Sequence, residues 1–307
     1  MAADFDAVSS CWVCGGASFD AVHEAIFEFS AYKEQDSELA AYTGATVTLQ
    51  RCRACGFTQP AALPSLPGFF DRMYDQRWSD DWVVSEHELP VKDRIFADVL
   101  SALRARLPAG RRLLDIGAHA GRFLRLAREQ GWDAEGLELN PKTAAYAAKA
   151  SGAVVHQVNI YAFRTSLRFD AVTLTDVLEH IPRPREVLAR AAELLTPNGW
   201  IAVKVPNGYA QRVKERLRGV LRPGYRPTLA DNLVHVNHFS AGSLRRALEG
   251  SGFRDVTVLP GLPELPDQEG AAADRFVRLA ACRLARAIPG GAALPIAFNL
   301  QAYGRRG

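Results

Sequence analysis

From Val91 onwards, short apolar runs alternate along the chain with stretches in which apolar residues recur every three or four positions. The short runs predict buried strands and the recurring pattern predicts helices, each with one face against a core. Strands are predicted at 112–116, 134–139, 153–157, 170–175, 200–205, 255–259 and 296–303, and helices at 91–107, 122–130, 141–150, 241–251 and 274–287. This alternation predicts an α/β fold, a mostly parallel sheet with helices on both faces.

The first 60 residues have little helical periodicity, and the stretch Pro60–Gly68 (PAALPSLPG) contains enough proline to interrupt a regular element. We therefore expect a small N-terminal domain over residues 1–60 and a linker or lid over 61–90. The main domain is expected over residues 91–307.

Composition gives little support for two classes of partner, nucleic acid and membranes. The chain has 307 residues, of which 48% are hydrophobic, and 37 basic against 34 acidic residues leave a net charge of +3. This charge is too small to indicate binding to nucleic acid or to a membrane by bulk electrostatics. The N-terminus lacks the pattern of a secretory signal, and no apolar run approaches the roughly 20 residues of a membrane span. We expect a cytoplasmic protein.

Four of the five cysteines form two identical pairs, Cys11–Cys14 and Cys52–Cys55, each with two residues between the thiols. In a reducing compartment, paired C-x-x-C motifs favour a tetrahedral structural zinc site over a disulfide framework. A redox role is the alternative, and a catalytic zinc is disfavoured because four thiolates leave no open position. The 37 intervening residues exceed the usual zinc-ribbon gap and predict an inserted hairpin or helix. Cys282, on a predicted helix, is expected to be a small core residue.

The first predicted strand of the main domain ends in a glycine turn, Asp115-Ile116-Gly117-Ala118-His119-Ala120-Gly121, directly before a helix. Such a turn lets the backbone approach a ligand at a helix N-terminus. Glu138 ends the next strand about 20 residues later, the distance at which a carboxylate can accept both ribose hydroxyls. A nucleoside-type cofactor is therefore expected. Asp115 inside the turn favours a cationic ligand over the pyrophosphate of NAD.

Together with FDAVTLTDVLEHIPRP and LLTPNGWIAVKVPN, this turn resembles the class I S-adenosylmethionine (SAM) dependent methyltransferases over roughly residues 91–307. The resemblance implies a Rossmann-like, seven-stranded methyltransferase sheet with SAM as cofactor. The implied SAM-binding residues are Asp115, Gly117, Ala118, His119, Gly121, Glu138, Leu139, Asn159, Ile160, Asp176 and Val177. His119 and Asn159 depart from the family pattern, which often has glycine and aspartate at these two positions.

The added cysteine module resembles the zinc-containing sugar methyltransferases of bacterial natural-product and glycan pathways. That resemblance implies a small-molecule acceptor, a sugar or sugar nucleotide, but this chain lacks the further C-terminal domain that the C-methylating members usually carry. The atom methylated therefore stays open between oxygen, carbon and nitrogen.

Methyl transfer to an alcohol or an activated carbon releases a proton, for which a histidine is the natural base. The resemblance places His238 at the position of the base, with His235 three residues before it and His180 in a positioning role. A structural role at the start of the following helix is the alternative for His238.

The segment 211–226 contains six basic residues and one acid, which fits a diphosphate-binding surface or a solvated face. RNA or protein methylation and a non-catalytic scaffold are the competing functions.

Overall fold

The computed structural model describes residues 4–75, 83–84, 87–88, 92–222, 224, 235–265 and 272–307. Trp78 and Trp82 of the predicted linker and Arg226 of the basic segment lie outside these ranges, as do all of residues 225–234.

The N-terminal part consists of two small antiparallel sheets and two short helices. Its elements are β1 (Phe5–Ala7), β2 (Phe19–Ile26), α1 (Ser37–Ala40), β3 (Thr46–Cys52), β4 (Thr58–Pro60), β5 (Ala62–Pro64) and α2 (Phe69–Asp75). Strand β3 lies between β2 and β4, and β1 pairs with β5. The insertion between the cysteine pairs thus contains a hairpin and a short helix.

An aromatic cluster stabilises this part. Phe27, Phe29 and Tyr42 are buried, and all three contact Phe69 of α2 at ring-centroid distances between 5.5 and 6.2 Å. Edge-on aromatic pairs add about 0.5–1.5 kcal/mol to the burial of their area. The segment that follows the predicted boundary at Pro60–Gly68 therefore packs back onto the N-terminal part. The division into domains itself stays a prediction.

The main part is an α/β sandwich. Its elements are α3 (Asp93–Arg106), β6 (Arg112–Ile116), α4 (Arg122–Glu129), β7 (Asp133–Leu137), α5 (Pro141–Ser151), β8 (Val154–His156), β9 (Phe169–Thr175), α6 (Pro184–Leu194), β10 (Leu195–Pro206), α7 (Gly208–Leu221), α8 (Ala241–Glu249), β11 (Phe253–Gly261), α9 (Ala272–Ala287) and β12 (Asn299–Arg306). The strands form one seven-stranded sheet in the order β11-β12-β10-β9-β6-β7-β8. Strand β12 is antiparallel to both neighbours, and β10, β9, β6, β7 and β8 are mutually parallel. The predicted fold class is confirmed.

The sequence did not predict α7, which covers most of the basic segment 211–226 as a helix. Asn207 starts this helix: its side chain accepts from the backbone N–H of Tyr209 at 3.0 Å and donates to the carbonyl of Ala297 at 2.8 Å. An asparagine at this position stabilises a helix by about 1 kcal/mol. Charge alone did not reveal the helix, because its buried residues, Gly208 and Ala210, are small.

Helices cover both faces of the sheet. On one face, Val99 and Leu103 of α3 pack with Phe123 of α4. On the other face, Val187 of α6 and Leu248 of α8 belong to one buried cluster. The same cluster contains Val13, which lies between the first two cysteines, together with Cys52 and Phe57. The cysteine module therefore shares a hydrophobic core with the main sheet.

The order in which the chain adds strands across the sheet reverses between β6 and β9, which are parallel neighbours in the sheet although β7 and β8 lie between them in sequence. Open α/β sheets bind ligands in the crevice at the carboxyl ends of the strands at this switch point. The glycine turn follows β6, Glu138 follows β7 and Asp176 follows β9, so all three lie at that crevice. Within the described residues, no helix is both long and apolar enough to cross a membrane.

Candidate active site

The glycine turn after β6 requires left-handed backbone at three of its positions. The φ angles are 75° at Gly117, 51° at His119 and 78° at Gly121. A Cβ on Gly117 would lie 2.4 Å from Cγ2 of Val177. Only glycine therefore fits at 117, whereas His119 accepts a left-handed conformation that is uncommon for a residue with a side chain.

Glu138 connects this turn to the next strand. One carboxylate oxygen accepts from the backbone N–H of His119 at 2.9 Å, and the other accepts from that of Asn140 at 2.9 Å. Burial raises the pKa of Glu138, although these N–H groups favour the ionised form. Each oxygen has a second lone-pair direction, so the carboxylate retains capacity for two hydroxyls of a ribose.

A cavity of about 630 Å³ opens beside Glu138 and is called the cofactor cavity here. Its lining includes eight of the predicted cofactor residues: Gly117, His119, Glu138, Leu139, Asn159, Ile160, Asp176 and Val177. Seven residues of the N-terminal part, between Leu63 and Asp71, also line it. Asn159 already uses its side-chain oxygen to accept from the N–H of Ala162 at 2.9 Å.

Three other predicted cofactor residues lie elsewhere. Asp115 and Ala118 line a second cavity, and Gly121 lines neither, because it lies against Ala147 of α5. Burial raises the pKa of Asp115 to about 8, while the hydroxyl of Thr173 donates to its carboxylate at 2.6 Å. A buried carboxyl with this pKa carries little negative charge at neutral pH. A role for Asp115 beside a cationic ligand stays a prediction.

The second cavity, also about 630 Å³ and called the acceptor cavity here, shares Gly117, His119, Asp176 and His180 with the cofactor cavity. Its wall contains a network of charges. Nζ of Lys204 contacts the carboxylates of Asp176 and Glu264, and Nζ of Lys92 lies 3.3 Å from Asp176. Burial opposes ionisation of Asp176, but both ammonium groups outweigh it and lower its pKa. Asp176 also has a positive φ of 57°, so the network fixes a strained residue at the end of β9.

His180 and His235 lie side by side in the acceptor cavity, with ring centroids 4.6 Å apart. Glu179 is buried behind them, and its Oε1 lies 3.9 Å from Nε2 of His180. Burial, together with the neighbouring Asp176 carboxylate, raises the pKa of Glu179. Burial lowers the pKa of His235, so its ring is neutral near pH 7 and can accept a proton.

The structure does not bring His238 into this group. His238 lines neither cavity, its Nδ1 lies 3.2 Å from Oε1 of Gln211, and its Nε2 is buried. Burial and the nearby His235 lower the pKa of His238 to about 3. The placement contradicts His238 as the general base, because its ring reaches neither cavity and so cannot contact an acceptor.

The four paired cysteines form a compact cluster. The Sγ atoms of Cys11 and Cys55 are 3.5 Å apart, as are those of Cys14 and Cys52, and all four lie within 4.8 Å of one another. Four thiolates at Zn–S distances of about 2.3 Å would be about 3.8 Å apart. The cluster therefore fits a tetrahedral zinc ion. Cys282 lies apart from it, buried in α9 with Sγ 3.4 Å from the carbonyl of Gly261.

Several residues of the acceptor cavity escaped the sequence-based prediction, among them Lys92, Lys204 and Glu264. Lys204 had a signal: it interrupts the apolar strand β10 (WIAVKVP), where a charge needs a buried partner. Lys92 and Glu264 had none, because their contacts with Asp176 and Lys204 cross long stretches of sequence. None of the residues that line the two cavities comes from the basic helix α7.

A family model described as a methyltransferase domain matches residues 86–258. Among curated proteins, the chain is 28% identical over 162 residues to a ubiquinone biosynthesis O-methyltransferase from Bordetella avium, covering 49% of this chain and 67% of that protein. A similar protein from Burkholderia multivorans is 31% identical, covering 49% of this chain and 65% of the relative. The chain thus spans about two thirds of the length of these relatives.

Two solved structures are also similar. The amino pentose methyltransferase CalS10 from Micromonospora echinaspora is 27% identical, with a TM-score of 0.36 over 41% of this chain and 56% of that chain. The plantazolicin methyltransferase BpumL is 14% identical, with a TM-score of 0.50 over 77% of this chain and 93% of that chain. The second comparison concerns the fold alone.

Proposed function

The chain belongs to the SAM-dependent methyltransferase family, and from this premise we propose that it transfers the methyl group of SAM to a hydroxyl of a sugar, a sugar nucleotide or a glycosylated natural product. The observation that carries the proposal is the meeting of the two cavities at Gly117, His119, Asp176 and His180. A donor on one side and an acceptor on the other would face each other there.

In this proposal the cofactor cavity holds SAM, which supplies an electrophilic methyl group on a sulfonium centre. Glu138 would accept the ribose hydroxyls, and Gly117 would let the backbone of the turn approach the methionine part. Asn159 and Ile160 would lie beside the adenine, as the family resemblance implies. Asp176, held ionised by Lys204 and Lys92, would stabilise the positive end of the cofactor.

We assign the proton transfer to His235. It lines the acceptor cavity and its ring is neutral near pH 7, so it can take the hydroxyl proton as the oxygen attacks the methyl carbon. The leaving group is the neutral thioether of S-adenosylhomocysteine, so the acceptor's proton is the one proton released. His180, which lines both cavities, would keep the acceptor oxygen and the His235 ring in line.

The charges in the acceptor cavity support this acceptor class. Lys204, Glu264 and Arg278 offer charged donors and acceptors, which complement a molecule with several hydroxyl groups better than an apolar one. The curated relatives are named O-methyltransferases, which supports oxygen as the methylated atom. Carbon and nitrogen stay possible acceptors within the resemblance to the zinc-containing sugar enzymes.

We also propose a structural zinc ion at Cys11, Cys14, Cys52 and Cys55, since four thiolates close the coordination shell and leave no position for a substrate. A cytoplasmic location is part of this proposal, because thiols stay reduced there and available to the metal. The proposal includes no nucleic-acid partner.

A mass-shift screen would test the acceptor class. The protein and SAM are incubated with sugar nucleotides, with aminoglycosides and, as an apolar comparison, with polyprenylated catechols. A gain of one methyl on a sugar acceptor is the expected result. Methylation of the catechols alone would show that the acceptor is a quinone precursor and that the proposed sugar acceptor is wrong. Turnover of RNA or protein substrates would support the macromolecular alternative, and absence of SAM binding in calorimetry would support a non-catalytic scaffold.

A further inference from the structure

We propose that the four-cysteine cluster holds His235 in place at the acceptor cavity, through contacts between strand β4 and residues 235–239. This inference rests on the proposed function and deepens it. It gives the cysteine module a role in positioning a catalytic group, beyond the stability of its own fold.

The first step is the attachment of β4 to both cysteine pairs. The fully buried side chain of Gln59 accepts from the backbone N–H of Trp12 at 3.0 Å and donates to the carbonyl of Ser10 at 2.9 Å. Trp12 lies inside the first pair. The second pair is joined to the start of β4 by a backbone bond of 2.8 Å from Cys52 to Phe57. The position of β4 therefore depends on how the cluster closes.

The second step joins β4 to residues 235–239. Thr58 and His238 form an isolated antiparallel bridge, in which His238 donates to Thr58 at 3.0 Å and Thr58 donates to His238 at 3.3 Å. Beside the bridge, the buried rings of Phe57 and Phe239 have centroids 5.0 Å apart. A Cβ on Gly208 would lie 2.7 Å from the backbone of His238, so the start of α7 packs closely against a third side of this segment.

The third step joins the same segment to the turn after β9. The backbone N–H groups of Val236 and Asn237 both donate to the carbonyl of Glu179, at 2.9 and 3.0 Å. The side chain of Asn237 donates to the carbonyls of Leu178 at 2.6 Å and Ile181 at 2.7 Å. These bonds place His235 against His180.

Residues 235–239 belong to no helix or regular strand, so their conformation depends on these contacts with β4, with α7 and with the turn after β9. In a segment held by several separate contacts, release of one of them adds conformational freedom to the segment. A misplacement of a catalytic group by about 1 Å can lower a rate by on the order of 100-fold. Loosening of β4 would therefore reduce methyl transfer even when SAM binds normally.

The variant Gln59→Leu tests this relay, because it cuts the attachment of β4 to the first cysteine pair and leaves all four thiols in place. The matched control is Gln50→Leu, on the neighbouring strand β3, where the lost bond runs from Nε2 of Gln50 to the carbonyl of Val8 at 2.9 Å. Zinc content is measured by elemental analysis and SAM affinity by calorimetry. The position of the histidines is followed by NMR of isotope-labelled histidine, with the His235 signal assigned from the variant His235→Gln.

In Gln59→Leu we expect bound zinc, a SAM dissociation constant within about 2-fold of the wild type, and a shifted or broadened His235 signal. The kcat should fall on the order of 10- to 100-fold with little change in KM. Gln50→Leu should match the wild type in all four measurements. An unchanged His235 signal and an unchanged kcat in a folded, zinc-bound Gln59→Leu protein would overturn the proposal.

Should Gln59→Leu fail to fold, Phe239→Leu decides the question, because it weakens the contact between the rings of Phe57 and Phe239 beside β4 and leaves all four thiols in place. It should shift the His235 signal and leave zinc in place, and an unchanged signal would again overturn the relay. The proposed function fails in a different way, through a wild-type protein that binds no SAM or methylates no sugar. The His235 signal does not depend on either result.

Discussion

The backbone N–H of His119 donates to Oε2 of Glu138 at 2.9 Å, so the glycine turn after β6 and the carboxylate after β7 form one unit. The left-handed conformation of His119, with φ of 51°, aims this N–H at the carboxylate. The departure from glycine at 119 is therefore compatible with the turn that the family resemblance implies. The same bond orients Glu138 before a ribose arrives.

Glu138→Ala should weaken SAM binding by about 1.5–3 kcal/mol, the range for hydrogen bonds to a charged group. The variant loses both acceptors for the ribose and also releases the N–H groups of His119 and Asn140. Glu138→Gln is the control, since it keeps one acceptor oxygen and should lose less. Calorimetry gives both affinities, and equal affinity in wild type and Glu138→Ala would mean that this carboxylate does not bind the ribose.

Gly117→Ala should destabilise the fold and abolish tight SAM binding, because the new methyl would overlap Val177 in a left-handed backbone position. Gly131→Ala is a matched control: its φ is also positive, at 79°, but nothing lies within 4 Å of its Cβ. The control should lose about 1–2 kcal/mol of unfolding free energy from the backbone alone. Gly117→Ala should lose about 1–3 kcal/mol more from overpacking. Denaturant unfolding measures both, and equal losses would contradict the steric argument.

Purified protein should contain about one zinc ion per chain, since a closed four-thiolate site binds a single ion. Cys14→Ser should lose most of this zinc and lower the melting temperature, because binding of the metal contributes to folding. Cys282→Ser should keep the zinc. Two zinc ions per chain would mean that the group formed by Glu179, His180 and His235, whose ligand atoms lie within 4.8 Å of one another, also binds metal.

His235→Gln should lower kcat by roughly 10²–10⁴-fold and leave SAM affinity nearly unchanged, because removal of a proton acceptor affects the transition state. His238→Gln should have a much smaller effect on kcat. Because the pKa of His235 is lowered, the kcat of the wild type should stay on a plateau at neutral pH and fall only below about 6.5, the ordinary pKa of histidine. Equal kcat losses in the two variants would leave His235 without a distinct role.

His238 should contribute to the pH dependence of stability. Its pKa is about 3 in the folded protein, below the ordinary value, so the unfolded chain binds more protons between these two pH values. The stabilisation is fully present above about 6.5 and is lost as the pH falls towards 3. His238→Gln should flatten this part of the unfolding free-energy curve, measured by denaturant titration at several pH values. An unchanged slope would show that the folded protein tolerates the charged ring.

The local parts of the site could be predicted from sequence, because a strand, a tight turn and the end of the next strand determine the positions of Gly117 and Glu138 almost without reference to the rest of the chain. The choice between His235 and His238 could not. One of the two histidines lines the acceptor cavity and the other does not. Which one does so depends on β4 and the turn at Glu179, both remote in sequence.

The same limit applies to the wall of the cofactor cavity. Leu63 and Phe70 line it because β5 pairs with β1 and α2 packs on the aromatic cluster. No pattern of apolar residues in 61–75 predicts that they line this cavity. Lys204 is the intermediate case: its pattern signals a buried charge, but the pattern does not reveal that Asp176 and Glu264 are the partners.

Among the residues that the structure describes, the two cavities share four, and this limited contact has a kinetic consequence. A donor and an acceptor that occupy separate chambers need not pass through each other's space, so either can bind first and either product can depart first. We therefore expect a random-order ternary-complex pattern in initial-rate studies. S-adenosylhomocysteine would then compete with SAM and inhibit non-competitively against the acceptor. It would also exchange for SAM while a polyhydroxylated acceptor remains bound for a second methylation.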